Sequence, residues 1–362
     1  MHGPPRHPPF DPSQLVRTAD LRRAGTEPSR GGWRQVRTGV WLPEASFAAL
    51  TPVDRHAALV HATMRTHRTG ESVRFAGESA AAVLGVPRIS AWPTTVRHLV
   101  TRRGVSGSSV LRPLLGAESE CVRVHGVLVT PPARMVVDLA RYGTLQDAVT
   151  AADYCLRHGM CTREDLTEEL AVVPRRARGR ASAARVVAIA DGMSMSPGES
   201  FSRVQMFRLL IPKPRLQVSF SDADGHIGDV DFWWERAVGE FDGRTKYRIP
   251  AGASPEEAGR VLWAEKKRED RLRRRTEVAR WVWADLLRPD RLLAILADQG
   301  VRPERRSTWL DQGDLARPGR PGRPGRPVGV CVTSRGPGDP RLVTGPPTDG
   351  SARHWRGPLR AR

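Results

Sequence analysis

Three carboxylates stand close together late in the chain. Asp231 lies in Asp229-Val230-Asp231-Phe232, and Glu240 and Asp242 lie in Gly239-Glu240-Phe241-Asp242-Gly243. Both runs read as strands. Period-two alternation then puts Glu240 and Asp242 on one strand face, and Asp229 and Asp231 on one face of a neighbour. Neighbouring strands are about 4.8 Å apart, so Asp231, Glu240 and Asp242 can converge on one hard cation. Oxygen sets of this kind suit Mg²⁺, or Mn²⁺ in its place, and leave water positions for reaction. Acids gathered without a cation or basic neighbours repel one another. The basic residues within reach are Arg203, Lys246, Lys266, Lys267 and Arg268. A plain polar strand face is the alternative for the trio. A helix cap is the alternative for Glu199, the other acid in the region.

The elements that must position these groups are legible around them. Ser196-Pro197-Gly198-Glu199 has the form of a helix start, with Ser at the N-cap, Pro at N1 and Glu at N3. The helix runs to Leu210. Strands are expected at Arg215–Phe220, Ile227–Trp234 and Ala237–Asp242, with Asp222-Ala223-Asp224-Gly225 as the first turn. A long helix over Glu256–Arg275, a fourth strand over Glu277–Ala284 and a last helix near 288–298 complete an α-β-β-β-α-β-α order.

Asp231, nine residues before Glu240-x-Asp242 in that order, resembles the PD-(D/E)xK nuclease fold. The branch it looks like is the one similar to very-short-patch repair endonucleases. The matching residues are Glu199, Asp231-Phe232, Glu240-Phe241-Asp242-Gly243, Lys267-Arg268-Glu269-Asp270-Arg271 and Arg280-Trp281-Val282-Trp283, within roughly 190–298. The resemblance implies a Mg²⁺-dependent DNA endonuclease site. Asp231, Glu240 and Asp242 would hold the metal, Glu199 would complete the shell, and Lys246 would serve the attacking water or the phosphate. One departure is plain: the motif has Lys two residues after its Glu, where this chain has Asp242, and Lys246 follows four residues later in a loop. The trio argues for the enzyme, and the missing Lys for a non-enzymatic scaffold.

The chain at large also resembles actinobacterial AbiEi-type antitoxins of type IV toxin–antitoxin systems. The features are Arg37-Thr38-Gly39-Val40-Trp41, Thr130-Pro131-Pro132-Ala133-Arg134 and Val137-Asp138-Leu139-Ala140, with the nuclease-like end. This implies an antitoxin or repressor whose partners are duplex DNA, its own operator and a cognate toxin. Ser13–Ala24 reads as a helix, and Trp33–Pro43 as a basic hairpin like the end of a winged helix-turn-helix. Pro28, Gly31 and Gly32 leave little room for a recognition helix before it.

The expected class is therefore a multidomain α+β protein. A winged-helix-like segment covers 1–50, an α+β antitoxin-like domain 51–170, and a basic linker with a helix 171–193. The nuclease-like domain follows at 194–300, and an Arg/Pro/Gly tail at 301–362. Thr51-Pro52-Val53-Asp54 opens a helix to about His67, a short helix covers 78–84, and 95–100 and 121–130 alternate as strands. Helices are expected from Pro132 to Tyr142 and at 145–158 and 162–170. Cys155, His158 and Cys161 are spaced three apart, but no second pair closes a tetrahedral zinc site; they read as two core residues and a C-terminal-turn His.

The 362 residues carry 58 Lys and Arg against 39 Asp and Glu, for a net charge of +19. That balance argues against cationic partners and for polyanions. Arg34, Arg37, Arg203, Lys267 and Arg268 are the candidate DNA contacts in the body of the chain. In the tail, Gly-Arg-Pro repeats three times in succession. This resembles the core of an AT-hook and adds Arg320 and Arg323 as minor-groove candidates. No run of 18 apolar residues and no apolar leader is present, so the expectation is a cytoplasmic protein without membrane span or small-molecule cofactor.

Overall fold

The structure is a computed structural model and describes residues 10–67, 73–243 and 254–310. The described residues form a mixed α+β protein of two compact units, 10–187 and 188–310, with the division inside the helix Arg180–Ile189.

In the first unit a three-stranded sheet holds Val16–Arg17, Val40–Pro43 and Trp33–Arg37, in that order. Gly39 makes its hairpin turn at φ 82°, a conformation that favours glycine. Residues 13–24 are not one helix. They form a 3-10 turn at Pro12–Gln14, the strand Val16–Arg17 and the helix Thr18–Arg23. Val16 and Arg17 pair with Trp41 and Val40, and Leu15 is buried with Val40, Leu42, Ala57, Ala58 and Ala62. Helix propensity over so short a stretch is a weak preference, which tertiary pairing and burial override. The N-terminal strands thus share their core with the helix Pro52–Thr66, as suits a segment too small to bury a core alone. Before the hairpin, Pro28–Arg30 is a single 3-10 turn, so no recognition helix stands there.

A five-stranded sheet follows, in the order Leu111–Leu115, Val96–Val100, Arg74–Phe75, Val127–Val129 and Val122–Val124. The stretch 121–130 is a hairpin rather than one strand, turning at His125 and Gly126, both with positive φ. Helices Gly77–Val83, Pro132–Tyr142, Leu145–Arg157 and Arg163–Val172 complete the unit. Cys155 and Cys161 are buried free thiols, and His158 is the C-cap of Leu145–Arg157.

The elements of the second unit are α1 (Pro197–Arg208), β1 (Arg215–Asp222), β2 (Gly225–Trp234), β3 (Ala237–Phe241), α2 (Pro255–Arg273), β4 (Glu277–Trp281), α3 (Trp283–Leu286) and α4 (Pro289–Asp298). The expected order is present with one addition. The fourth strand stops at Trp281 because the Asp285 carboxylate accepts the Val282 N–H at 3.0 Å and starts α3. The sheet order is β4-β3-β2-β1. β1, β2 and β3 are antiparallel neighbours, and β3 and β4 run parallel through the α2 crossover.

Each face of this sheet has its own core. On one, Val218, Phe220, Ile227, Val230, Val238 and Val278 pack with Leu272 of α2. On the other, Phe232 packs on Trp281, whose indole N–H donates to Ser202 of α1 at 2.8 Å. Gly198 lets α1 approach closely, since a Cβ there would fall 2.0 Å from the Phe241 ring.

Candidate functional site

The site begins with a break in strand alternation. Val230 faces α2, whereas Phe232, two residues on, packs on Trp281 at the α1 side. Regular pleating would keep them on one face. The partner strand reverses at the same level, because Val218 opposite Val230 joins the α2 core and Leu216 lies opposite Phe232. Between these pairs, the register sets Gln217 against Asp231. Gln217 has φ 50°, a left-handed backbone that is uncommon outside glycine, Asn and Asp. The period-two reading of Asp229 and Asp231 as companions on one face assumed regular pleating, and this reversal removes that basis. Asp231 is buried, whereas Asp229 is exposed and accepts from the Ser219 hydroxyl.

Gln217 joins two carboxylates. Its amide nitrogen donates to Glu199 Oε2 at 3.1 Å and to Asp231 Oδ1 at 3.4 Å. The other Asp231 oxygen accepts the Phe241 N–H at 2.9 Å. Glu199 sits in the first turn of α1, where Ser196 Oγ accepts its N–H at 3.2 Å. Its carboxylate in turn accepts the Met195 N–H at 2.7 Å and the Ser196 hydroxyl at 2.8 Å. Glu199 is therefore both a capping residue and part of the acid pair. Asp242 follows directly on β3, its N–H donating to the Trp281 carbonyl at 2.8 Å. Its Oδ1 is buried without a hydrogen-bond partner, a costly state for a carboxylate oxygen that a cation or donor would relieve.

Glu240 is placed differently from its expected role. Its two oxygens are taken by Arg268 of α2 at 2.7 Å and Arg280 of β4 at 2.8 Å. Arg268 also donates to the Asp229 carbonyl at 3.1 Å, and Arg280 reaches Glu269 at 3.5 Å. Three residues further along α2, Arg271 grips Asp222 at the β1–β2 turn, with Nε on Oδ2 at 2.9 Å. That hydrogen bond, more than any other influence, holds the Asp222 carboxyl at about 2. Two arginines spaced three apart thus tie α2 across the sheet.

The other expected residues are scattered. Arg203 is 2% exposed; it donates to the Ile189 carbonyl and lies over the Trp309 ring, which makes it an interior group in this structure. Arg34 pairs with Glu44 at 3.1 Å on the surface, and Arg37 donates to Thr63 Oγ1 at 2.7 Å. Lys267 is exposed beside Trp263. Lys246, Arg320 and Arg323 lie outside the described residues. Gln217 is the residue that sequence reasoning missed. The signal for it was the hairpin register, which places it opposite Asp231 once the turn is fixed.

The donor chemistry suits a hard divalent cation, since the convergent groups are carboxylate oxygens. Glu199 and Asp231, reaching one nitrogen, are the pair that fits such an ion; Glu240, closed by two guanidinium groups, does not. Among the described residues no group of three or more His, Cys, Asp or Glu side chains is arranged to hold a metal ion.

No family model matches the chain. Two proteins of Mycobacterium tuberculosis, uncharacterized protein MT2308 of strain CDC 1551 / Oshkosh and uncharacterized protein Rv2248 of strain H37Rv, are each 32% identical over 131 residues. The match covers 36% of this chain and 48% of each relative, so the chain spans about half the length of the curated relatives it matches. Among solved structures, that of the RV2827C protein from Mycobacterium tuberculosis covers 52% of this chain and 74% of its own, at 16% identity and a TM-score of 0.30. Among the described residues, no helix is long and apolar enough to cross a membrane.

Proposed function

We propose that the second unit is a metal-dependent phosphodiesterase domain acting on DNA, in a chain that also binds duplex DNA through its basic residues. The observation that supports this reading is the meeting of Glu199 and Asp231 on one amide; Asp242, with its orphaned oxygen, leaves the same sheet end as a further candidate ligand. Asp231, Glu199 and Asp242 would hold Mg²⁺, or Mn²⁺ in its place. The metal supplies charge stabilisation at the phosphate and an activated water. The chain's own part is to fix the carboxylates: Gln217 sets the pair, the Phe241 N–H orients Asp231, and the Met195 N–H orients Glu199. Lys246 would serve the attacking water or the phosphate. The arginine clamp on Glu240 favours a second reading, in which the fold is a scaffold for an antitoxin or operator-binding repressor with a cognate toxin. There Glu240 serves only to hold α2.

The test is incubation of the full chain with supercoiled plasmid and with oligonucleotide duplex, in Mg²⁺, Mn²⁺ or EDTA, alongside melting curves. The nuclease reading expects EDTA-sensitive nicking and a melting temperature raised by the ions, because a ligand that binds only the folded state stabilises it. Asp231→Asn should abolish both, and because its amide cannot accept from both Gln217 and the Phe241 N–H it should also lower metal-free stability by about 1–2 kcal/mol. A flat melting response to both ions, with no nicking, leaves the scaffold reading.

A further inference from the structure

The carboxyl ends of the parallel strands β3 and β4 carry more than the acids. Phe241 and Trp281 are paired in register at this end, so Asp242 and Val282 leave the sheet side by side. Next comes Trp283, which packs edge-on against Phe241 with centroids 5.4 Å apart and remains 38% exposed. Helix α2 must return from this end to the start of β4. Its C-terminal half packs on the sheet through Leu272 and the Arg268–Glu240 pair. At 1.5 Å per residue, its N-terminal half therefore extends about 10 Å or more beyond Arg268 toward that end. On that half stands Trp263, 58% exposed, with Lys266 Nζ 5.9 Å and Lys267 Nζ 5.7 Å from its ring centroid.

An indole left this open contributes little to the core of its own fold and keeps a stacking face in solvent. Two ammonium groups beside one exposed ring combine a stacking face with phosphate contacts. Single-stranded nucleic acid offers the matching pair, unstacked bases and a backbone charge at each nucleotide. A duplex keeps its bases stacked and inaccessible to such a ring. We propose that Trp263, with Lys266 and Lys267, is a stacking site for unpaired bases of a DNA strand. The site deepens the phosphodiesterase reading, on which it rests for its purpose: the preferred substrate has a frayed or single-stranded segment at the carboxylates. The existence of the stacking site itself is testable without cleavage.

The experiment measures binding of fluorescein-labelled dT20 and of a 20-base-pair duplex to the full chain in EDTA, at about 0.3 M salt, where phosphate contacts are weakened. Trp263→Ala should weaken dT20 binding roughly 5- to 100-fold, the range that stacking on one base supplies, and change duplex binding less than twofold. Trp263→Phe should retain most of the dT20 affinity. Lys266→Ala with Lys267→Ala should weaken both ligands. A dT20 carrying 5-iodouracil should photo-crosslink to Trp263. Equal losses on both ligands, or no loss on either, or crosslinks only elsewhere, overturn the proposal. Nicking that is indifferent to Trp263→Ala removes this site and keeps the phosphodiesterase. Trp263-dependent dT20 binding without any nicking does the reverse.

Discussion

A left-handed backbone at a residue with a Cβ costs about 1–2 kcal/mol. Gln217 adopts it at φ 50° in the middle of a strand, and its side chain is the one that joins Glu199 to Asp231. Strain of this kind persists only where the surroundings over-determine it. Two substitutions separate backbone from side chain. Gln217→Ala keeps the strain and loses the amide, whereas Gln217→Gly loses the amide and relaxes the backbone. Glycine should therefore be the more stable variant by about 1 kcal/mol, despite its usual weakness in strands. Urea unfolding of the two variants measures this directly; alanine equal to or better than glycine would mean that the left-handed conformation carries no strain here.

Between elements, the Arg268–Glu240–Arg280 bridge decides how α2 meets the sheet. Each of the three side chains is under a quarter exposed. Glu240→Gln leaves two guanidinium groups facing a neutral amide at a half-buried site. Losses of charge-assisted bonds in such places run to about 1–3 kcal/mol. The variant should lose that much stability without metal and keep any Mn²⁺-induced rise in melting temperature. A Glu240 that ligated the ion would show the opposite pattern, a small metal-free loss and no rise. Chemical denaturation, paired with melting in Mn²⁺ and EDTA, distinguishes the two. The same bridge explains why three acids close in sequence do not act as one set: Asp231 faces Gln217 and the Phe241 N–H, while Glu240 faces the helix.

For the molecule as a whole, the net charge of +19 is spread unevenly. Residues 301–362 hold 13 Arg against 5 acids. Each neutralised phosphate adds about 0.9 to the slope of log affinity against log salt on duplex DNA. Residues 301–310 are not tail, because Trp309 is buried and donates to the Ile211 carbonyl; truncation after residue 310 should flatten that slope by several units' worth of contacts while leaving some duplex binding. Titrations of the full and truncated chains at several salt concentrations test it, and identical slopes would show that the tail makes no contact with DNA.

Local signals were enough for much of the second unit. Ser196 before Pro197, the Asp222–Gly225 turn and the alternation around Asp231 and Glu240 each act within about ten residues. The strands and helices they announce are present. The sequence singled out Glu199, Asp231, Glu240 and Asp242 as candidates, because carboxylates in apolar strands and helix starts stand out against their neighbours. What it could not supply was the partner of each group. Strand alternation assumes regular pleating, so it could not foresee the reversal at Gln217 and Asp231. Composition marks Arg203 as basic but not as buried against Trp309. Nothing near Val16 and Arg17 announces that they pair with Val40 and Trp41. Glu240 read as a metal ligand with Arg268 in reach, and its closure by Arg268 of α2 together with Arg280 of β4 is a product of packing. Those pairings join segments distant in sequence, and their energies come from burial and charge neutralisation that exist only once the elements are packed.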